Sequence, residues 1–549
     1  MLQVLAAPAV TPADTTAPSP RRGVLRLGLA AVGGVLADVA FPDRGWWPVG
    51  FVAVAMLVLA GSRGGGRTTA LVWFAWGQTF FLLHLGWARE AAGPVAWVAL
   101  SVLQAGLLAV AGALWSWADR AAILARRPML RALVFASVWV AGEQLRSVWP
   151  FGGFPWGRLA FSQTDGPLLS LAWLGGAPLV SFAVAFIGAL LALATVAAGR
   201  RAARRVLVAA ALTGAMLGLG TLIPLGVEPE AGTLRTGVVQ GNVPADRGRP
   251  DRAEVVLANH VQGTAAVATQ APGGLDLVVW PENASDVDPR TNADAAAQVW
   301  EASDAVRAPI LVGTDRYEPE GRYNDIVVWD PERGPVDSYA KQRPAPFGEY
   351  VPLRGLIRVF SSQVDRVEVD MVAGTAPAVV DIPVARLGRA VPVATVICFE
   401  VAFDDLVRNA VRQGAQVLVV PTNNASFGWT AQSTQQLAMS RLRAVETGRA
   451  TIQASTVGVS AVIEPDGTLV QRTDLFTPAT MTADLPLRTS LTPAVRAGPA
   501  PIILAVLIAA AAATSGAANA WRRRADRSSR PASQAHTPAS PEHEEYQPT

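Results

Sequence analysis

The stretch from Gly23 to about Leu225 constrains the fold most, because it is nearly continuous apolar sequence broken only by short polar segments. A helix needs about 20 apolar residues to cross a ~30 Å bilayer core. The polar breaks divide the stretch into about seven segments near that length, and an eighth follows much later. The segments are roughly 24–42, 46–61, 69–88, 93–116, 130–149, 168–198, 205–225 and 501–521.

These segments predict a polytopic α-helical membrane domain of about eight transmembrane helices. The alternative, core helices of a water-soluble protein, conflicts with a mean hydropathy of +0.30 and a hydrophobic fraction of 51%.

Arginine placement predicts the orientation, since positively charged loops stay in the cytoplasm. The arginines concentrate in alternate loops, and seven spans from a cytoplasmic N-terminus place residue 226 outside. We therefore expect a membrane protein whose region 228–497 is extracytoplasmic and whose two termini are cytoplasmic. The arginine-rich segments contain Arg21, Arg22, Arg63, Arg67, Arg120, Arg126, Arg127, Arg131, Arg200, Arg201, Arg204, Arg205, Arg522, Arg523 and Arg524.

The region 228–497 has a different pattern, in which short β-rich runs alternate with amphipathic helical patterns. The helices are predicted near 251–270, 292–306, 401–413 and 431–448. Eight strand-like runs are mostly continuous and apolar, which is typical of buried strands in an α/β layered domain. The predicted divisions are a disordered tail at 1–22, a seven-helix bundle at 23–227, a catalytic domain at 228–497, the eighth helix at 498–521 and a disordered tail at 522–549.

Three chemically distinctive residues each follow a strand-like run in the region 228–497. Cys398 is the only cysteine, Lys341 is the only lysine in an arginine-rich chain, and Glu282 follows the run LVVW. A thiol, an amine and a carboxylate together indicate covalent catalysis, in which a thiolate attacks a carbonyl and a second nucleophile takes the acyl group from the thioester.

The roles follow from the chemistry of each group. A free thiol is only a few per cent ionised at pH 7 and needs a base, for which Glu282 is the candidate. Lys341 would stabilise the oxyanion of the tetrahedral intermediate, and the backbone N–H of Phe399 would be a second donor. A single cysteine and four histidines without ligand spacing argue against an internal disulfide, a metal site and a Ser-His-Asp triad.

Three motifs resemble the signatures of the nitrilase (carbon–nitrogen hydrolase) superfamily: WPE at 280–282, K-x7-E at 341–349 and C-F-E at 398–400. That superfamily uses a Glu-Lys-Cys triad on an αββα sandwich. With seven predicted spans before this domain and one after it, the chain is similar to one branch, the bacterial apolipoprotein N-acyltransferase family. Further matching stretches are FGGFPWGRLAFSQ (151–163), VVQGNVP (238–244), PFGEYVP (346–352) and RLRAVETGR (441–449).

The resemblance implies a two-step reaction. Cys398 takes a fatty acyl chain from a membrane phospholipid, and the α-amino group of an S-diacylglyceryl cysteine at the N-terminus of an apolipoprotein then takes it from the thioester. Glu349 would support the triad, with a structural ion pair as the alternative. Glu400 would be the family's acidic residue after the nucleophile, with a cap on a helix beginning near Val401 as the alternative. The resemblance also implies the bacterial cytoplasmic membrane as the location. The implied partners are phospholipid, apolipoprotein and bilayer. We expect no nucleic acid and no cofactor, and we take a monomer as the default state.

Two positions depart from the family's pattern. Phe399 stands where the family usually has Tyr, so a ring is kept and a hydroxyl is lost. The run NNASFGW replaces a Trp-Phe pair after the Asn-rich strand end, and we expect Phe427 or Trp429 to take its role at a shifted position.

The run LRGLIRVF (353–360) predicts a lid lying in the lipid interface, with an ordinary surface helix as the alternative. Leu353, Leu356, Ile357 and Phe360 recur at helical spacing, opposite two arginines.

Ionisable and aromatic residues near the fifth span have two readings each. Glu143 and Arg146 form either a functional pair or one that only orders the bundle. Trp149, Phe154 and Trp156 read as an interfacial aromatic belt, or as contacts to a lipid head group or the acceptor.

Two other functions compete with the acyltransferase. A membrane-tethered amidase or nitrilase would pass the acyl group to water, but it would not need eight spans. A non-enzymatic membrane scaffold or transporter would not need the Glu, Lys and Cys set.

Overall fold

The computed structural model describes residues 20–62, 65–195, 200–244, 246, 249–359 and 362–528. A helical bundle precedes an α/β domain. A last long helix returns to the bundle, where it packs on the helices Trp87–Ala118 and Pro128–Val148. The bundle helices are α1 (Pro20–Val39), α2 (Val49–Gly61), α3 (Gly66–His84), α4 (Trp87–Ala118), α5 (Ala122–Arg126), α6 (Pro128–Val148), α7 (Ala172–Thr195) and α8 (Arg200–Leu222).

The elements after the bundle are twelve strands and seven helices within the described residues. They are β1 (Thr233–Gln240), α9 (Arg252–Gln270), β2 (Leu277–Val279), α10 (Ala293–Val306), β3 (Ile310–Glu318), β4 (Gly321–Asp330), β5 (Gly334–Ala340), α11 (Arg354–Arg358), β6 (Val379–Val384), β7 (Arg389–Thr395), α12 (Asp404–Arg412), β8 (Val417–Thr422), α13 (Gln432–Thr447), β9 (Thr451–Ser455), β10 (Ala461–Ile463), β11 (Leu469–Arg472), β12 (Ala479–Pro486), α14 (Pro493–Ala497) and α15 (Ala500–Ser528).

Each of the eight predicted spans coincides with a helix. Among the described residues, four segments are long and apolar enough to cross a membrane: 87–118, 167–195, 203–222 and 500–526. Helix α2 is apolar but shorter. Helices α4 and α7 are kinked where a glycine with non-helical backbone angles precedes a proline, at Gly93 and Gly176. The apolar helices are consistent with a membrane protein, as predicted.

The α/β domain contains two six-stranded sheets, with strand orders β12-β1-β2-β3-β4-β5 and β11-β10-β9-β8-β7-β6. Helices α9 and α10 pack on the first sheet and α12 and α13 on the second, which makes the predicted αββα sandwich. Strands β1, β2 and β3 are parallel, and so are β7, β8 and β9. Their carboxyl ends lie next to the candidate site.

The eight strand-like runs and four helices predicted from the sequence are all present. Strands β5, β6, β11 and β12 were missed, and all four are sheet edges. An edge strand has one unpaired side and carries polar residues, so it lacks the apolar run that marks a central strand.

Several boundaries differ from those predicted. The helix predicted at 401–413 begins at Asp404, because a 3-10 turn at 398–402 comes first. Residues 20–22 and 522–528, predicted within the tails, are helical.

Candidate active site

The candidate nucleophile lies on a tight turn just after a buried strand. Strand β7 ends at Thr395, and Cys398 opens a 3-10 turn with a φ of 53°. A positive φ is unfavourable for a residue with a Cβ, so the surrounding structure must hold this turn. The turn directs Cys398 toward the end of the parallel neighbour β8, where Thr422 Oγ1 lies 3.2 Å from its Sγ.

Glu282 is buried and receives three hydrogen bonds. Asn324 Nδ2 and Lys341 Nζ donate to its Oε1 at 2.6 and 3.0 Å, and the backbone N–H of Asn423 donates to its Oε2 at 2.7 Å. These donors fix the carboxylate between the two sheets, because Asn324 lies on β4 and Asn423 follows β8.

Lys341 lies between two carboxylates and is fully buried. Its Nζ contacts Glu282 Oε1 at 3.0 Å and Glu349 Oε1 at 2.5 Å. Burial alone would lower the pKa of Lys341, but the two carboxylates outweigh burial and hold its pKa well above the usual value. Lys341 is therefore a permanent cation at this site.

The Cys398 thiol is neutral in this arrangement. Burial, reinforced by the negative charge of Glu282, raises the pKa of Cys398 to about 12, although Lys341 and Thr422 oppose the shift. The thiolate can therefore form only when the proton is removed as the reaction proceeds, which requires a base at the site.

Glu349 and Glu400 hold the loop that follows Lys341. The second oxygen of Glu349 accepts a hydrogen bond from the backbone of Ala345 at 2.6 Å. Glu400 is completely buried and accepts from the backbone N–H groups of Gln342 and Arg343 on that loop, at 2.7 and 2.9 Å.

Glu400 also connects this loop to the nucleophile turn. It accepts from the N–H of Ile397 at 2.7 Å and from the Tyr339 hydroxyl at 2.9 Å. Burial raises the pKa of Glu400 to about 7, against Lys341 and these donors. The sequence suggested that Glu400 caps a helix near residue 401. It instead lies inside the 3-10 turn and caps that turn.

Comparison with known proteins fits this geometry. The family profile described as the apolipoprotein N-acyltransferase N-terminal domain matches residues 33–190, and the carbon-nitrogen hydrolase profile matches residues 235–491. The apolipoprotein N-acyltransferase of Mycolicibacterium smegmatis is 41% identical over 88% of this chain and 84% of its own length. The chain belongs to the apolipoprotein N-acyltransferase family.

A more distant relative also matches almost the whole chain. The Chromobacterium violaceum apolipoprotein N-acyltransferase is 32% identical and covers 92% of this chain and 96% of its own length. Among solved structures, an amidase of the nitrilase superfamily from Nesterenkonia AN1 covers 51% of this chain and 99% of its own, at 19% identity and a TM-score of 0.38.

The structure brings together Glu282, Lys341, Cys398, Glu349 and Glu400, which were all singled out from the sequence. It adds Asn324, Tyr339, Thr422 and Gln436, which sequence reasoning missed. Asn324 and Tyr339 lie within strands where nothing distinguishes them from ordinary polar positions. The run TNN (422–424) at the end of β8 was noted only as an Asn-rich strand end, and its contacts with Glu282 and Cys398 depend on the assembled sheets.

Aromatic rings join the nucleophile turn to the helical bundle. The ring of Phe399 stacks on Phe154 and Trp156, with centroid distances of 5.8 and 6.4 Å. Phe427 meets the ring of Trp87 edge-on at 5.2 Å. Phe399 therefore keeps the packing expected at this position, and Phe427 packs against α4.

The expectation of a lipid-facing belt is wrong for Trp156. Its side chain is buried, and its Nε1 donates to Gln435 Oε1 on α13 at 2.7 Å. Trp149 is 58% exposed. Trp87 Nε1 also donates to Gln435, at 3.2 Å, so two indoles from the bundle bind one side chain of the catalytic domain.

A buried set of charges crosses the same boundary. Arg158 contacts both oxygens of Asp404 at 2.9 Å, and Arg443 contacts Asp404 at 2.8 Å. Arg443 and Arg408 both bind Glu446. These contacts join the loop after α6 to α12 and α13.

Glu143 and Arg146 fix that loop from the bundle side. Glu143 Oε1 accepts from the backbone of Leu159 at 2.8 Å, and Arg146 donates to the carbonyl oxygens of Phe154 and Trp156. This geometry favours the ordering role that the sequence left open.

The predicted lid is only partly described. Helix α11 is five residues long, and Phe360 lies outside the described residues. Leu356 is 57% exposed, whereas Ile357 packs on a small buried cluster. Trp429 is exposed and packs on Phe476, 4.8 Å between centroids.

A cavity of about 300 Å³ lies between the bundle and the catalytic domain, next to the nucleophile turn. The loop around Phe151 forms one wall, and Arg343, Tyr350, Phe399 and Phe403 contribute to the others. Its volume is at the lower end of the range of roughly 300–1,000 Å³ that is usual for small-molecule pockets.

Proposed function

We propose that this chain transfers a fatty acyl group from a membrane phospholipid to the N-terminal amine of a diacylglyceryl-modified apolipoprotein, through a thioester on Cys398. The observation that carries the proposal is the buried contact of Lys341 with Glu282 beside the thiol, in a member of the apolipoprotein N-acyltransferase family.

In the first step, Glu282 takes the thiol proton and the sulfur attacks the ester carbonyl carbon of the phospholipid. A C–S bond forms, and the carbonyl oxygen becomes an oxyanion facing Lys341 and the N–H of Phe399. The ester C–O bond then breaks, and the leaving oxygen takes the proton from Glu282. Lysophospholipid leaves, and the acyl chain remains as a thioester.

In the second step, the neutral α-amine of the acceptor attacks the thioester carbon. A C–N bond forms, the C–S bond breaks, and the amine proton passes through Glu282 to the sulfur. The resting thiol is restored, so the cycle is ping-pong and needs no cofactor. Glu349 and Glu400 hold the loop of Lys341 in place throughout.

The membrane arrangement belongs to the same proposal. Eight spans, with the catalytic domain outside and both termini in the cytoplasm, would bring the thiol to the outer surface of the membrane, where both lipid substrates lie. The exposed side chains of Leu353, Leu356 and Val359 support α11 as a lid in the lipid interface.

Intact-protein mass spectrometry tests the proposal. Wild type and Cys398→Ser are incubated with phospholipid vesicles and no acceptor. We expect wild type to gain the mass of one acyl chain, removed by hydroxylamine and by a diacylglyceryl-cysteine peptide. Free fatty acid without an adduct would favour the amidase-like hydrolase, and neither product from any phospholipid would refute the donor assignment.

A further inference from the structure

The hydroxyl of Thr422 lies between the candidate nucleophile and a buried amide. Its Oγ1 is 3.2 Å from Cys398 Sγ and 3.0 Å from Gln436 Oε1, and the residue is fully buried. A hydroxyl has one hydrogen and two lone pairs, so Thr422 can donate to only one of these neighbours at a time. The direction of its hydrogen decides how the thiol is held.

In the structure, a chain of hydrogen bonds that begins at a backbone N–H orients the amide of Gln436. The N–H of Gly458 donates to Ser455 Oγ at 2.7 Å, and the Ser455 hydroxyl donates to Asn424 Oδ1 at 2.5 Å. The amide of Asn424 then donates to Gln436 Oε1 at 3.0 Å. Gln436 therefore presents its carbonyl oxygen, an acceptor, to Thr422.

Turning either Asn424 or Gln436 alone is unfavourable. Asn424 Nδ2 lies 2.6 Å from Gln432 Oε1, so turning Asn424 would place two amide oxygens against each other. Turning Gln436 would place its NH₂ group against that of Asn424. Thr422 thus donates its hydrogen to Gln436, and its lone pairs face the sulfur. The resting thiol donates its S–H to Thr422.

We propose that Thr422 is a catalytic residue that acts as a reversible hydrogen-bond partner of the nucleophile. Its hydroxyl accepts the S–H of resting Cys398 and, when Glu282 removes that proton, turns and donates to the thiolate. Thr422 keeps its own proton throughout, and Gln436 Oε1 keeps the hydrogen bond from Asn424 while Thr422 is turned. The inference rests on the proposed function in taking Cys398 as the nucleophile and Glu282 as its base.

The need for such a donor follows from the burial of the sulfur. Desolvation opposes the thiolate, and the Thr422 hydroxyl is among the few groups that favour it. A hydrogen bond to a charged group stabilises the charged form by an amount equivalent to roughly ten- to a hundredfold in an equilibrium. Thr422→Val removes the hydroxyl and keeps the volume of the side chain, so it should lower the thiolate population by that factor.

Alkylation of Cys398 in the full chain in detergent micelles tests this directly. The chain has one cysteine, so the iodoacetamide adduct that wild type gains and Cys398→Ser does not gain, seen by intact mass, reports this sulfur. Across pH 7–10 we expect Thr422→Val to react about ten- to a hundredfold more slowly than wild type, and Thr422→Ser to remain within about threefold. Acyl-enzyme formation from phospholipid should show the same order.

Thr395→Val is the matched control. Thr395 is a buried threonine at the end of the neighbouring strand β7, and its hydroxyl has no hydrogen-bond partner in the described parts of the chain. We expect it to alkylate at the wild-type rate.

Each outcome decides the inference. The inference is overturned if Thr422→Val is alkylated at the wild-type rate. It is also overturned if the alkylation rate of Thr395→Val falls as far as that of Thr422→Val. If Thr422→Val does not fold, Thr422→Ala is compared with Thr422→Ser, since the two differ only in the hydroxyl. Alkylation needs no phospholipid, so the two proposals can fail separately. If the alkylation rates follow the predicted order but no acyl-enzyme forms, the proposed donor is refuted and the role of Thr422 stands.

Discussion

Asp404→Asn should destabilise the junction between the bundle and the catalytic domain. Asp404 is the shared partner of Arg158 on the loop after α6 and of Arg443 on α13. Burial alone would raise its pKa, but the two guanidinium groups outweigh burial and hold the pKa of Asp404 well below its usual value. An asparagine keeps the shape of the side chain and removes the charge that both arginines require.

The magnitude follows from the partners that remain. Removing one charge from a buried pair costs about 3–5 kcal/mol, because the other charge stays buried without compensation. Arg443 keeps Glu446, and Arg158 has Glu143 at 3.6 Å, so the lower end, about 3 kcal/mol, is expected. For a domain of this size that corresponds to a fall in Tm of roughly 6–12 °C.

Thermal unfolding in detergent measures this change, with Asp405→Asn as the matched control. Asp405 is the next residue, but it is 59% exposed and pairs with Arg343, which is 41% exposed. An exposed pair contributes at most about 1 kcal/mol, so the control should melt close to wild type.

The pH dependence gives a second check. The pKa of Asp404 is lowered in the folded state, so its carboxylate contributes stability above the unfolded value of 3.8 and loses it as the pH falls below that value. The free energies of unfolding of wild type and Asp404→Asn should therefore differ by a constant amount near neutral pH and converge in acid. Equal melting of the Asp404 and Asp405 variants at pH 7 would refute the reasoning.

Three further predictions follow from the same contacts. Lys341→Met should slow acyl-enzyme formation by at least about 10²-fold, because it removes the cation at the developing oxyanion; a rate within fivefold of wild type in single-turnover mass spectrometry would exclude that role. Since the pKa of Cys398 is raised to about 12, its alkylation rate should rise about tenfold per pH unit between pH 8 and 10, and a plateau below pH 9 would contradict a buried neutral thiol. Gly176→Ala would place a Cβ 2.2 Å from Arg408 Nη2 at a φ of +68° and should lower Tm by several degrees, whereas Gly218→Ala, which has no neighbour within 4 Å, should not.

The sequence by itself predicted the division of the chain and the central residues of the candidate site. Apolar runs of membrane-spanning length mark helices whatever their neighbours are, because burial in lipid depends only on local composition. The central strands could also be predicted from the sequence, since strands covered on both faces are continuously apolar. Cys398, Lys341 and Glu282 stood out because each is chemically distinctive and follows such a strand.

Only the tertiary structure showed which polar residues lie at the candidate site. Thr422 comes within reach of Cys398 because β8 lies parallel to β7, and Gln436 reaches Thr422 because α13 packs over that sheet. Trp156 has the local sequence pattern of an interfacial residue, but its indole N–H donates to Gln435, 279 positions away. Such pairings join residues far apart in the chain, and a hydroxyl or an amide has the same local pattern whether it faces water or a nucleophile. Only the assembled sheets and helices distinguish the two.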